Sequence, residues 1–178
     1  MVGVIARLFA LKGHDVLFAA APKILAAVPE TRFLLVGDGI LRERLEAQAR
    51  SLGIADHVVF AGLVDPSEVC RYAALMTVLA HLSLREGLPR AVVQALAAKV
   101  PVVAYPLDGT PEVVFPEETG LLVPPEDAGQ VADAVIRLLK DPALRARMGA
   151  RGQELVLRLF DWRKMADDLE REYLAALS

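Results

Sequence analysis

Short runs of consecutive apolar residues recur along this chain at 2–6 (VGVIA), 32–37 (RFLLVG), 57–62 (HVVFAG), 77–82 (TVLAHL), 101–105 (PVVAY) and 120–124 (GLLVP). Runs of this length without polar alternation predict strands buried on both faces. Between them the apolar positions return every three or four residues, the period of a helix with one buried face. The first such segment spans about 15–28, with Asp15 as its N-cap, Leu17, Ala21, Leu25 and Val28 on one face, and Pro22 predicting a kink. The second spans 41–52, with Leu41, Leu45, Ala49 and Leu52 in register and Gly53 as its stop. Further helices are predicted at 66–76 and 88–98, with a helical turn at 111–114. Three helices close the chain, at about 127–140, 142–158 and 161–177. Asp141-Pro142 separates the first two and Asp161 caps the last.

Strands alternating with helices predict an α/β domain, a doubly wound parallel sheet of about six strands. Such a sheet binds ligands beyond the carboxyl ends of its strands. That places the interest in four loops, 7–13, 37–39, 62–65 and 83–89. No internal repeat, low-complexity segment or linker interrupts the pattern, so residues 1–178 read as one domain.

Composition narrows the classes. Apolar residues make up 54% of the 178 positions and mean hydropathy is +0.39. No apolar run reaches the ~18–20 residues of a spanning helix, so buried strands account for the apolarity. Net charge is −3 with no basic stripe, which argues against nucleic acid as a partner. Cys70 is the single cysteine, so there is no internal disulfide, in keeping with a reducing compartment. His14, His57 and His81 lie far apart and lack metal-ligand spacing. Met1 is followed at once by a core-strand pattern rather than a leader. The chain is therefore expected to begin at a domain boundary.

Candidate chemistry lies in the loops. Arg7 leaves the first strand, and Lys12 follows before Gly13 and a helix start. Two cations at that edge suit a diphosphate, though two solvated surface cations fit the spacing as well. Gly37 and Gly39 follow the second strand as in a dinucleotide fingerprint, but position 42 is Arg where a third glycine belongs. A sharp turn and a close ligand approach both explain this pair. Leu63 and Val64, after Gly62, offer backbone groups to a planar base or simply end a strand.

The stretch 85–98 (REGLPRAVVQALAA) says more. Pro89 suits the first helical position, and the N–H groups of Gly87 and Leu88 then lie at a helix N-terminus that favours anions. Glu86 beside them can accept from sugar hydroxyls, or merely complement the helix dipole. Gln94, two turns on and roughly 80° round, faces nearly the same way; the competing reading is a satisfied core amide. Glu112, after a Gly turn, caps a short helix or touches ligand. His81 and Ser83 do not make a hydrolase, because nothing marks an orienting acid or an oxyanion hole.

In order, Arg7-x4-Lys12-Gly13, VGDG, F-x-G, S-x-x-E-G, PVVA, G-x-P-E-V-V and T-G-L-L-V-P resemble the C-terminal domain of a retaining glycosyltransferase of the GT-B fold, family 4 type, over essentially the whole chain. The resemblance implies a Rossmann-like domain that binds a nucleoside-diphosphate sugar as donor substrate, with no other cofactor and no metal. Arg7 and Lys12 would hold the diphosphate, and Glu86 would match the first of two paired glutamates near the sugar. Gly87 and Leu88 would offer N–H groups there, and Leu63 and Val64 would line the base. Four positions depart from the pattern: Gln94 for the second glutamate, Lys99 for a glycine, Asp108 for the first glycine of a pair, and Leu82 for a proline.

The implied parent enzyme carries an N-terminal acceptor domain, and the helix 161–177 crosses toward it or packs on its own domain. The isolated chain is then expected to bind nucleotide weakly, to transfer nothing, and to self-associate through any exposed apolar face. A nucleotide-sugar epimerase of the same fold and a non-catalytic nucleotide-binding scaffold are the alternatives. The expected location is cytoplasmic, with the parent either free or at the inner face of a membrane.

Overall fold

The computed structural model describes residues 1–177. Six strands, β1 (Val2–Ile5), β2 (Phe33–Val36), β3 (Val58–Gly62), β4 (Val78–His81), β5 (Val102–Ala104) and β6 (Gly120–Leu122), form one sheet in the order β3-β2-β1-β4-β5-β6. Every pairing is parallel. Six helices accompany it, α1 (His14–Ala27), α2 (Arg42–Ser51), α3 (Val69–Ala74), α4 (Arg90–Ala97), α5 (Ala128–Lys140) and α6 (Pro142–Leu159), and α7 (Trp162–Leu177) follows them. The expected doubly wound α/β sheet is therefore present.

The strand runs carry no polar alternation because both faces are covered. Along β1 to β5, Val2, Val4, Phe33, Leu35, Val78, Ala80 and Val103 face one apolar layer with α1, α2 and α5. Leu34, Val36, Leu79, Val102 and Ala104 face the other with α4 and Val156 of α6. Strand order reverses between β1 and β4, which are neighbours through Val2↔Val78 and Gly3↔Leu79. At that reversal consecutive connections leave to opposite sides, and a crevice opens at the carboxyl ends.

Several helix starts differ from expectation. Gly13, not Asp15, is the N-cap of α1; its carbonyl receives the Leu17 N–H at 3.1 Å, while Asp15 pairs with Arg44. Proline at 22 does not break α1. Residues 66–68 are turn, so α3 begins at Val69. Pro89 is the N-cap of α4 rather than its first helical residue: ψ is 83°, and its carbonyl accepts from Val92 and Val93 at 2.9 and 3.2 Å. Asp161 Oδ1 does accept from the Arg163 N–H at 2.9 Å, as a cap should.

α7 does not pack its apolar side on this domain. Met165, Leu169, Tyr173 and Leu177 are all exposed. The side chain of Trp162, placed on the same face by its spacing, lies outside what is described. No helix of the described residues is long and apolar enough to cross a membrane.

Lys99 follows the C-cap of α4 with φ at 60°, and its N–H bonds the Leu96 carbonyl at 2.9 Å. This is the left-handed closing position of a helix, where glycine avoids a Cβ clash. Lys99→Gly is expected to raise stability by about 0.5–1 kcal/mol in urea denaturation, with no effect on the cavity described below. A lower midpoint would mean that the lysine side chain contributes more than its backbone costs.

Candidate functional site

The crevice between β1 and β4 is a cavity of about 490 Å³. That is within the usual range for small-molecule sites, ~300–1,000 Å³. Arg7, Lys12, Val64, Glu86, Leu88 and Gln94 line it, with Ile5, Ala6, Pro66, Val69, Arg90 and Ala91. A second hollow of about 390 Å³ is lined by Gly87, Asp108, Gly109, Glu112 and Arg85, and shares Glu86 and Leu88 with the first. Eight sequence-selected residues therefore converge. Gly37, Gly39 and Leu63 line neither space.

Gly37 and Gly39 position the loop after β1. Gly37 has φ at 129°, and a Cβ there would stand 2.1 Å from the Ala6 carbonyl oxygen; one on Gly39 would stand 2.5 Å from that of Leu8. No side chain fits such gaps. The Leu8 N–H bonds the Asp38 carbonyl at 3.0 Å and the Leu41 N–H bonds the Leu8 carbonyl at 3.1 Å. These contacts lay the 7–12 loop across the β2 turn and hold Arg7 and Lys12 at the crevice. Leu63 is 84% exposed, and only its neighbour Val64 reaches the lining.

Lys12 Nζ donates to Glu86 Oε1 at 2.7 Å and lies 3.4 Å from Ser83 Oγ. The two side chains are 17% and 26% exposed, so the pair is shielded from solvent. Arg7 has no carboxylate partner among the described residues; its guanidinium sits 4.9 Å from the centre of the Phe9 ring. With Arg90 there are three cations facing the single carboxylate of Glu86, a positive surplus suited to an anion. The N–H groups of Gly87 and Leu88 have no hydrogen-bond partner among the described residues.

Gln94 is half-buried, lines the cavity, and makes no side-chain hydrogen bond among the described residues. It is not a satisfied core amide. Spacing missed two residues. Arg90 opens α4, and its signal was only its place after Pro89. Asp108, flagged as a departure, has φ at 49° and accepts the Glu86 N–H on Oδ2 at 2.7 Å. Aspartate tolerates this left-handed geometry better than most residues, and here its carboxylate fixes the backbone of the Glu86 loop.

A family model for Glycosyl transferases group 1 matches residues 1–155. The chain belongs to this family. It is 38% identical over 172 residues to the GDP-mannose-dependent alpha-(1-6)-phosphatidylinositol monomannoside mannosyltransferase of Mycobacterium tuberculosis, covering 93% of this chain and 45% of that protein. The solved sucrose-phosphate synthase of Thermosynechococcus elongatus superposes with a TM-score of 0.89 at 33% identity, over 99% of this chain and 46% of that one. Anabaena HepE in complex with UDP gives a TM-score of 0.89 at 25% identity, over 98% and 48%. The chain spans less than half the length of these curated relatives. As a member of this family it carries a doubly wound parallel sheet, with the cavity at the point where strand order reverses.

Burial lowers the pKa of His81 and of His14 from 6.5 to about 4, so both are neutral at pH 7. In each case desolvation outweighs a neighbouring carboxylate, Glu86 and Asp15 respectively. Their folded values lie below the unfolded one. Protons therefore favour the unfolded chain, and stability is lost as pH falls from 6.5 toward 4. Proton NMR of the two rings is expected to show no titration above about pH 5. An inflection near pH 6.5 at either ring would contradict the burial.

Proposed function

We propose that this chain is the donor-binding half of a hexosyltransferase that moves a sugar from a nucleoside diphosphate to an acceptor with retention of configuration. The observation that carries the reading is the convergence of Arg7, Lys12, Glu86, Leu88 and Gln94 on one cavity at the strand-order reversal. Arg7 and Lys12 bind the diphosphate. As the bond to the sugar breaks, negative charge grows on the leaving phosphate oxygen, and fixed cations stabilise it more than they stabilise the ground state. The N–H groups of Gly87 and Leu88 add neutral donors beside them, and the two cations act where other transferases use a divalent metal. Glu86 accepts from sugar hydroxyls, Gln94 bonds the ribose, Val64 with Leu63 borders the base, and Glu112 closes the sugar end.

The relatives suggest which donor to test first. Several are GDP-mannose-dependent by name, so GDP-mannose leads and UDP sugars follow. In this reading the acceptor is held by an N-terminal domain of the parent enzyme. The exposed side of α7 crosses to that domain, and in the isolated chain it drives self-association. The parent works in the cytoplasm, at the inner membrane face if its acceptor is a lipid. A non-catalytic nucleotide-binding module is the second reading. It is favoured by Gln94, a neutral amide where a carboxylate would bind ribose more strongly.

Calorimetric titration with GDP, UDP and ADP is expected to give binding in the high-micromolar to millimolar range for at least one nucleotide. Arg7→Ala or Lys12→Ala should weaken it by at least about tenfold, the loss of one charge-assisted contact worth roughly 1.5–3 kcal/mol. No heat from any nucleotide up to millimolar would overturn the reading. Gln94→Glu should tighten binding of the nucleotide that fits. Lost stability with no gain in affinity would remove Gln94 from the ribose site.

A further inference from the structure

His81 has no part in the scheme above. It ends β4, is 6% exposed, and its Nε2 has no hydrogen-bond partner among the described residues. A buried ring nitrogen left unpaired is costly, and native proteins rarely leave one so. Glu86 Oε1 stands 4.0 Å from that nitrogen, about 1 Å beyond hydrogen-bond reach. The same oxygen accepts from Lys12 Nζ at 2.7 Å. Two donors thus face one carboxylate oxygen, and the lysine holds it. Because His81 is neutral at pH 7, its Nε2–H tautomer can donate without adding charge to the interior.

Lys12 has a competing demand. In the reading of the cavity as a diphosphate site, on which this inference rests, the lysine must turn from Glu86 toward phosphate oxygens. Oε1 would then lose its partner while the carboxylate remained charged and three-quarters buried. The backbone at Glu86 cannot follow the lysine, since its N–H is tied to Asp108 at 2.7 Å. We propose that His81 is a positioning residue for Glu86, its Nε2–H taking over Oε1 when a bound diphosphate draws Lys12 away. The exchange leaves the full charge of Lys12 to the phosphate and keeps Glu86 aimed at the cavity. An apolar residue at position 81 would pack equally well in the sheet but leave Glu86 without a second partner.

Two NMR experiments on the 15N ring signals of His81 test this. In the free protein, Lys12→Met removes the first donor. The Nε2–H resonance is then expected to appear downfield with slowed solvent exchange, and the His81 titration to rise by about one unit or more. Adding Glu86→Gln to that variant should reverse the rise. In the wild-type chain, saturation with GDP or UDP, whichever binds, should bring out the same downfield Nε2–H signal. A ring unchanged both in Lys12→Met and under a nucleotide that binds overturns the inference and leaves the donor-site reading intact. A response in the variant but not under a bound nucleotide overturns the exchange. Absence of any nucleotide binding overturns both readings.

Discussion

The ion pair between Lys12 and Glu86 joins loops 74 residues apart in sequence, and it exists because β1 and β4 are neighbours in the sheet. One loop leaves β1 and the other leaves β4, at the point where strand order reverses. The rest of the site follows from that adjacency. The β1 loop is laid down by the glycines of the β2 turn, which admit its backbone where no Cβ fits. The β4 loop is fixed by Asp108 and runs into the N-terminus of α4. Arg7 and Lys12 therefore come from one side of the crevice, and Glu86, two free N–H donors and Arg90 from the other.

The same pair sets the character of the unliganded site. A lysine already neutralised by a shielded carboxylate is a weaker anion trap than a free one. Arg7 and Arg90, which line the same cavity, supply the remaining positive field. In the proposed reading Gln94 lowers the affinity further, as a neutral amide where a carboxylate would bind ribose more strongly. The departures from the family pattern act on different links of the chain of causes. Gln94 bears on ligand affinity, Lys99 on the backbone cost of ending α4, and Asp108 on the rigidity of the Glu86 loop.

Much of this architecture was legible in the residues. All six apolar runs became strands, because burial on both sheet faces writes an unbroken apolar signal, and all seven helical periods became helices. The ends were less legible. Pro89 became a cap rather than a first helical residue because its ψ is not helical, and Gly13 displaced Asp15 as the cap of α1. Convergence of Arg7, Lys12, Glu86 and Gln94 could be anticipated from strand-end logic. Gly37 and Gly39 carried two readings that spacing could not separate, and only the close approach of Ala6 and Leu8 shows what their backbone does. The roles of Arg90 and Asp108, and the unpaired nitrogen of His81 facing Glu86, depend on three-dimensional contacts that no local pattern records.

Mapping backbone amide shifts on the 15N-labelled chain during titration with GDP-mannose or GDP tests the central claim most directly. The account predicts saturable shifts centred on Arg7, Lys12, Val64, Glu86 to Leu88, Arg90 and Gln94, with the α5 and α6 amides unmoved. Saturable shifts centred on any other face of the sheet would contradict it.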